Sequence, residues 1–220
     1  MVRYIDLSTI GHFKVKQLLI VFTKNAQLGK VKTRLAATIG DDEAFHTHQL
    51  LVEKTAIQMS SILCNKVVYY SDHIKDDDLF STNGYHQHVQ FGEDLGQRMH
   101  NAFSAEFKKG YTSIVMIGTD CPDLEEGTVS EAFELLKSNE LVLGPANDGG
   151  YYLIGLSSPQ EELFSGIEWS TSSVFEKTIE IAKVAQMSVG ILSTKRDIDT
   201  FDDLKSSDFG KEHFSHLMNQ

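Results

Sequence analysis

Residues 17 to 36 read QLLIVFTKNAQLGKVKTRLA, and two changes of character within them decide the fold. Gln17 to Thr23 is almost continuously apolar, as a strand buried on both faces of a parallel or mixed sheet must be. A basic loop follows, and the spacing then starts a helix near Val31. A buried strand, a basic loop and a helix start form an arrangement in which helix N–H groups without intrahelical acceptors can face an anion. Gly29 lets the backbone approach such a ligand closely. On a regular helix Lys30 and Arg34 share a face while Lys32 points away, so all three meet one ligand only if the first turn is irregular. The expected phosphate-binding set is led by Lys32 and Arg34, with Lys24, Gly29, Lys30 and Thr33 beside them. The loop is not a Walker A motif, because GKVKT lacks the first glycine, and no GxGxxG is present. A solvated basic helix start is the alternative.

Outward from this segment the pattern repeats. Strand-like runs recur at Lys66–Ser71, Ser113–Gly118, Glu140–Gly144, Tyr151–Leu156 and Met187–Leu192. Helical stretches lie between them. Asp41 to Leu63 places Ala44, Phe45, Leu51, Val52, Ala56 and Ile57 at near-helical spacing. Asp94 with Gln97, and Thr128 with Glu131, read as helix-capping pairs, and Ser172–Ala185 adds a further helix. The alternation predicts a three-layer α/β/α sandwich around a central, mostly parallel mixed sheet. No linker or repeat divides residues 1–220, so a single domain is expected, with 1–16 an N-terminal extension and 205–220 a C-terminal tail.

Charge narrows the function. With 20 basic and 31 acidic residues the chain carries −11, which argues against a nucleic-acid partner. Yet from Leu7 to Gly40 there is no acidic residue, while Lys14, Lys16, Lys24, Lys30, Lys32 and Arg34 all fall there. The positive potential is local, as a dedicated anion site requires. No apolar run is long enough to span a membrane and the N-terminus lacks a signal-peptide core, so no membrane partner and a cytoplasmic location are expected. Cys64 and Cys121 suggest neither a disulfide framework nor a zinc cage.

Ligands of open α/β sheets bind outside the carboxyl ends of the strands, and the loops there carry further candidates. GTDCPD (118–123) puts Asp120 directly after a strand, where a carboxylate suits Mg²⁺ held together with substrate phosphates; Asp123 is better explained by the turn. GPANDGGYYLIGL (144–156) supplies Asn147, Asp148, Gly149, Gly150 and Tyr151, either as a plain hairpin or as a substrate loop with close backbone approach. KRDIDTFDDL (195–204) offers Asp199 as a second metal ligand, with Asp197 an alternative, unless Asp199 or Thr200 merely caps the next helix. Trp169 is expected in the core, and none of the nine histidines is assigned a role.

Six segments, GKVKTRLA (29–36), EDLGQRM (93–99), IGTDCPDL (117–124), GPANDGGYYLIGL (144–156), WST (169–171) and DIDTFDDL (197–204), together resemble the radical-SAM/selenodomain-associated transferase family. That family belongs to the nucleotide-diphospho-sugar transferase superfamily with the GT-A type fold. A weaker similarity, over KTRL, DCP and DIDT, is to the phospholactate guanylyltransferase and molybdenum-cofactor nucleotidyltransferase groups. The chain departs from the family at Lys24-Asn25-Ala26, where a proline usually follows the lysine. The resemblance implies that Lys32 and Arg34 hold phosphates and that Asp120 and Asp199 hold Mg²⁺ or Mn²⁺. The expected activity is a metal-dependent transferase acting on a nucleotide sugar or nucleoside triphosphate and a small-molecule acceptor, with Lys32, Arg34 and Asp120 as its catalytic residues. The alternative is a nucleotide-binding partner protein without turnover. The oligomeric state is left open.

Overall fold

The computed structural model describes residues 16–218, so the expected N-terminal extension falls, except for Lys16, outside the described residues. In chain order the elements are β1 (Gln17–Thr23), α1 (Thr33–Ile39), α2 (Asp41–Gln58), β2 (Asn65–Tyr70), α3 (Leu79–Thr82), β3 (His86–Val89), α4 (Leu95–Lys108), β4 (Ser113–Ile117) and α5 (Glu126–Leu135). Then come β5 (Leu141–Pro145), β6 (Tyr151–Leu156), α6 (Val174–Val184), β7 (Val189–Ile191), α7 (Phe201–Ser206) and α8 (Asp208–His213).

The seven strands form one sheet in the order β3-β2-β1-β4-β6-β5-β7. β6 runs antiparallel to both β4 and β5, and the other pairs are parallel. Because side chains alternate along a strand, each strand feeds two cores. Leu19 and Val21 of β1 join Val68, Val115 and Ile117 beneath α2 and α5. Leu18 and Ile20 join Val67, Ile114 and Met116 beneath α4 and α6. Helices thus cover both faces, which is why the strands read as unbroken apolar runs, and the expected three-layer α/β/α architecture is what the chain adopts.

A third cluster positions the site. Leu35 of α1 and Ala44 and Leu51 of α2 pack against Ile198, Leu204, Phe209 and Phe214. Residues 205–218 are therefore not a tail: they complete α7, form α8 and a final turn, and bury Phe214 completely. Fully burying a side chain of this kind contributes about 1.5–3 kcal/mol. The packing presses the segment after β7 against the first turn of α1.

Several local expectations shift for physical reasons. β3 lies at the sheet edge with the sequence HQHV, too polar and too short to give an apolar run. Thr128 does not cap α5: the helix starts at Glu126, a turn earlier than expected. Asp94 does cap α4, accepting a hydrogen bond from the Gln97 backbone N–H at 2.8 Å, while Gln97 Oε1 accepts from the Glu93 N–H. α2 stops at Gln58 rather than Leu63. Among the described residues no helix is long and apolar enough to cross a membrane.

Candidate functional site

The carboxyl ends of β1 and β4 and the β5–β6 turn open onto one cleft of about 500 Å³. Lys24, Lys32, Arg34, Asp120, Asp148, Asp197 and Asp199 all line it.

The first turn of α1 is irregular, as convergence requires. Lys32 takes the left-handed conformation, φ 51°, immediately before the helix. Its side chain is only 5% exposed and donates to Asp120 Oδ1 and to the Ile198 carbonyl, each at 2.5 Å. Lys32 therefore does not stand free for a phosphate; it ties the β1 loop to β4 and to the segment after β7. Arg34, two residues further and 65% exposed, pairs with Asp199. Lys24 is exposed on the cleft wall, whereas Gly29, Lys30 and Thr33 are exposed and do not line the cleft. Where proline was expected after Lys24, Asn25 is buried and laced to the end of β2: its carbonyl oxygen accepts from the Asp72 N–H at 2.9 Å and its amide donates to the His73 carbonyl at 2.9 Å.

The carboxylates divide by their partners. Burial works to raise the pKa of Asp120, but the Lys32 ammonium beside it, with help from His48 and Lys24, holds it below the usual carboxylate range. For Asp197 burial acts in the same sense and the facing Asp120 and Asp148 reinforce it, pushing the pKa up to about 7. Asp148 accepts from the Gly150 N–H at 2.9 Å, a turn-stabilising bond. The Asn147–Gly150 segment is thus a hairpin turn that also presents Asp148 and Gly150 to the cleft, with Asn147 and Gly149 outside its lining. Tyr151 lines it. Thr200 caps α7 in a reciprocal box with Asp203, and that leaves the Asp199 carboxylate to Arg34. Asp123 is exposed and absent from the cleft lining. Among the described residues, no three His, Cys, Asp or Glu side chains form a ready metal cage.

Among the cleft residues that sequence reasoning did not place there are His48 and Trp169. His48 is buried on α2, with Nε2 3.2 Å from the Lys24 carbonyl. Burial lowers its pKa despite the nearby Asp120. Its only sequence signal, a spacing of two from His46, suggests no shared helical face. Trp169 is half-buried: it packs against the core beneath α4 and α6, as expected, and also lines the cleft. A Cβ at Gly96, the glycine of EDLGQRM, would stand 2.2 Å from Trp169 Nε1. The two motifs meet only in space.

A mixed seven-stranded sheet with one antiparallel inner strand, helices on both faces and a charged cleft at the strand ends defines the fold class of the nucleotide-diphospho-sugar transferases. The chain superposes with TM-score 0.81 on a Desulfovibrio desulfuricans G20 protein provisionally assigned as a nucleotide-diphospho-sugar transferase, at 30% identity over 92% of this chain and 93% of that one. Residues 55–171 match DUF2064, described as an uncharacterized protein conserved in bacteria, and the chain belongs to that family. More distant structures share the fold. A cytidylyltransferase of Leptospira borgpetersenii matches with TM-score 0.52 and 16% identity over 87% of this chain and 84% of its own. Rv0371c of Mycobacterium tuberculosis in complex with manganese matches with TM-score 0.53 and 14% identity over 86% and 96%. No curated protein matches the chain by sequence.

Proposed function

We propose that this protein is a nucleotide-using transferase that binds a nucleoside triphosphate or nucleotide sugar with Mg²⁺ or Mn²⁺ and passes a group to a small-molecule acceptor. The observation that carries the reading is the pair of charge contacts crossing one cleft, Lys32 to Asp120 and Arg34 to Asp199. Likeness to the Desulfovibrio protein supports the transferase class, and the six sequence motifs support a place among the radical-SAM/selenodomain-associated members of the superfamily.

The exposed cations, Arg34 and Lys24, are the groups able to grip phosphate oxygens; charge-assisted hydrogen bonds of this kind contribute about 1.5–3 kcal/mol each. Lys32 acts as a positioning residue that fixes the Asp120 carboxylate. Asp120 and Asp199 would hold the divalent cation, with Asp197 beside them. Hard carboxylate oxygens suit Mg²⁺ or Mn²⁺, and a site of one or two carboxylates completed by substrate phosphates needs no preassembled cage. That a protein of this fold is known in complex with manganese is consistent with this. Such an ion would neutralise charge building on the phosphates as the leaving group departs.

The test is incubation with each nucleoside triphosphate and nucleotide sugar, with and without Mg²⁺, against a panel of hydroxyl acceptors. Metal-dependent release of pyrophosphate identifies nucleotidyl transfer, and release of a nucleoside diphosphate identifies glycosyl transfer. Nucleotide binding without either product, insensitive to Asp120→Asn, would replace this reading with that of a non-catalytic binding protein.

A further inference from the structure

A second cavity, of about 350 Å³, opens beside the main cleft and is lined by residues of both α2 and α3. Its size falls within the roughly 300–1,000 Å³ of small-molecule pockets. Thr23 is aimed into it. Side chains alternate along a strand, and Leu19 and Val21, which share Thr23's side of β1, pack into the core beneath α2. Thr23 is 3% exposed, and its hydroxyl has no hydrogen-bond partner among the described residues. An orphaned buried hydroxyl costs stability, so its presence in the wall of a cavity points to a ligand atom that satisfies it.

The rest of the wall is of two kinds. Val52 and Ala56 of α2, with Leu79 and Phe80 of α3, give an apolar surface. The same cavity is lined by two ammonium groups, Lys24 and Lys75, and by the carboxylates of Glu53 and Asp77. None of these four makes an ion pair among the described residues. The third carboxylate, Asp78, is already spent: it accepts from the Tyr70 hydroxyl at 2.6 Å and from the Ser81 N–H at 3.0 Å.

Charges of both signs left unpaired beside one apolar surface discriminate among ligands. A free phosphate would face Glu53 and Asp77, and a simple amine would face Lys24 and Lys75. A molecule that carries one charge of each sign meets both pairs.

We infer that the α2/α3 cavity is a second ligand site and takes a small α-amino acid with an apolar side chain. The carboxylate accepts from the Thr23 hydroxyl and meets the lysines, the ammonium meets Glu53 and Asp77, and the side chain packs on the apolar surface. Thr23, Lys24 and His48 line the main cleft as well, but the inference does not depend on what that cleft binds.

Isothermal titration calorimetry of the full-length protein with L-leucine and L-phenylalanine is the test, and saturable binding of at least one is expected. Glycine lacks the side chain, and the deaminated acid and the decarboxylated amine of the tighter binder each lack one charge. All three should bind about tenfold or more weakly. Thr23→Val removes the unpartnered hydroxyl and Lys75→Ala an unpaired ammonium, so both variants should keep the wild-type melting temperature while losing about tenfold or more in amino-acid affinity. Arg34→Ala, outside this cavity, should leave that affinity unchanged. No saturable heat from either amino acid, analogues that bind as well as the amino acid itself, or loss of binding in Arg34→Ala but in neither cavity variant overturns the inference.

Discussion

The end of β4 and the segment after β7 each place an aspartate in the same cleft, and the two titrate in opposite directions. Asp120 is held below the ordinary carboxylate range, whereas Asp197 is pushed up to about 7. Burial acts on both in the same sense, so it does not explain the difference; Lys32 does. Its ammonium lies 2.5 Å from Asp120, while Asp197 faces Asp120 and Asp148 across the cleft. A protein that spends the Lys32 ammonium chiefly on Asp120 leaves Asp197 less compensated, which is where a divalent cation would gain most.

The largest effect should come from removing what separates the two. Lys32→Met deletes the pair and the bond to the Ile198 carbonyl together. Breaking a buried pair costs about 3–5 kcal/mol; because Asp120 is half exposed, a loss of roughly 2–3 kcal/mol is expected, read as a lower urea midpoint with an unchanged slope. Gly149→Ala comes next. It combines a φ of 89° with a collision against Ser172, and should cost about 1–3 kcal/mol while shifting Trp169 emission, because the displaced segment carries that residue.

The two aspartates also give stability opposite dependences on pH. Asp197 has a folded pKa raised above its ordinary 3.8, so its contribution to stability is fully present below 3.8 and is lost as pH rises through about 7. Asp120 has the opposite sign: its contribution is present above its ordinary value of 3.8 and is lost as pH falls through the lowered folded value. Asp197→Asn should therefore raise the melting temperature at pH 8 by about 2–4 °C and leave it unchanged near pH 3.5. The smallest effect on stability belongs to Arg34→Ala. This exposed pair with Asp199 should contribute less than about 1 kcal/mol, although nucleotide affinity should fall roughly ten- to a hundredfold. Urea denaturation beside nucleotide titration of the same variant separates the two numbers.

How much of this was legible in sequence follows the same physics. β1, β4 and β6 read clearly because strands covered on both faces are uniformly apolar, and the loops that follow β1 and β4 inherit their place from topology. β3 was invisible because an edge strand such as HQHV needs few apolar residues. The basic loop was legible as a charge cluster, but the division of labour within it was not. That Lys32 turns inward depends on a left-handed backbone at a non-glycine residue, which no local pattern announces. The packing of α7 and α8 onto α1 was likewise hidden, because Ile198, Phe209 and Phe214 find their partners more than 140 residues away in Leu35 and Leu51. That Trp169 also borders the cleft was hidden for the related reason that its seat, Gly96, lies in another motif.

The most direct measurement is thermal unfolding of the wild type, Arg34→Ala and Asp120→Asn across the four nucleoside triphosphates and a set of nucleotide sugars, each with and without Mg²⁺. At least one nucleotide is expected to raise the wild-type melting temperature, and to do so more strongly with Mg²⁺. The Mg²⁺ increment should vanish in Asp120→Asn and the nucleotide shift should shrink in Arg34→Ala. A shift that is equal with and without Mg²⁺ and unchanged by both substitutions, or no shift from any nucleotide, would contradict it.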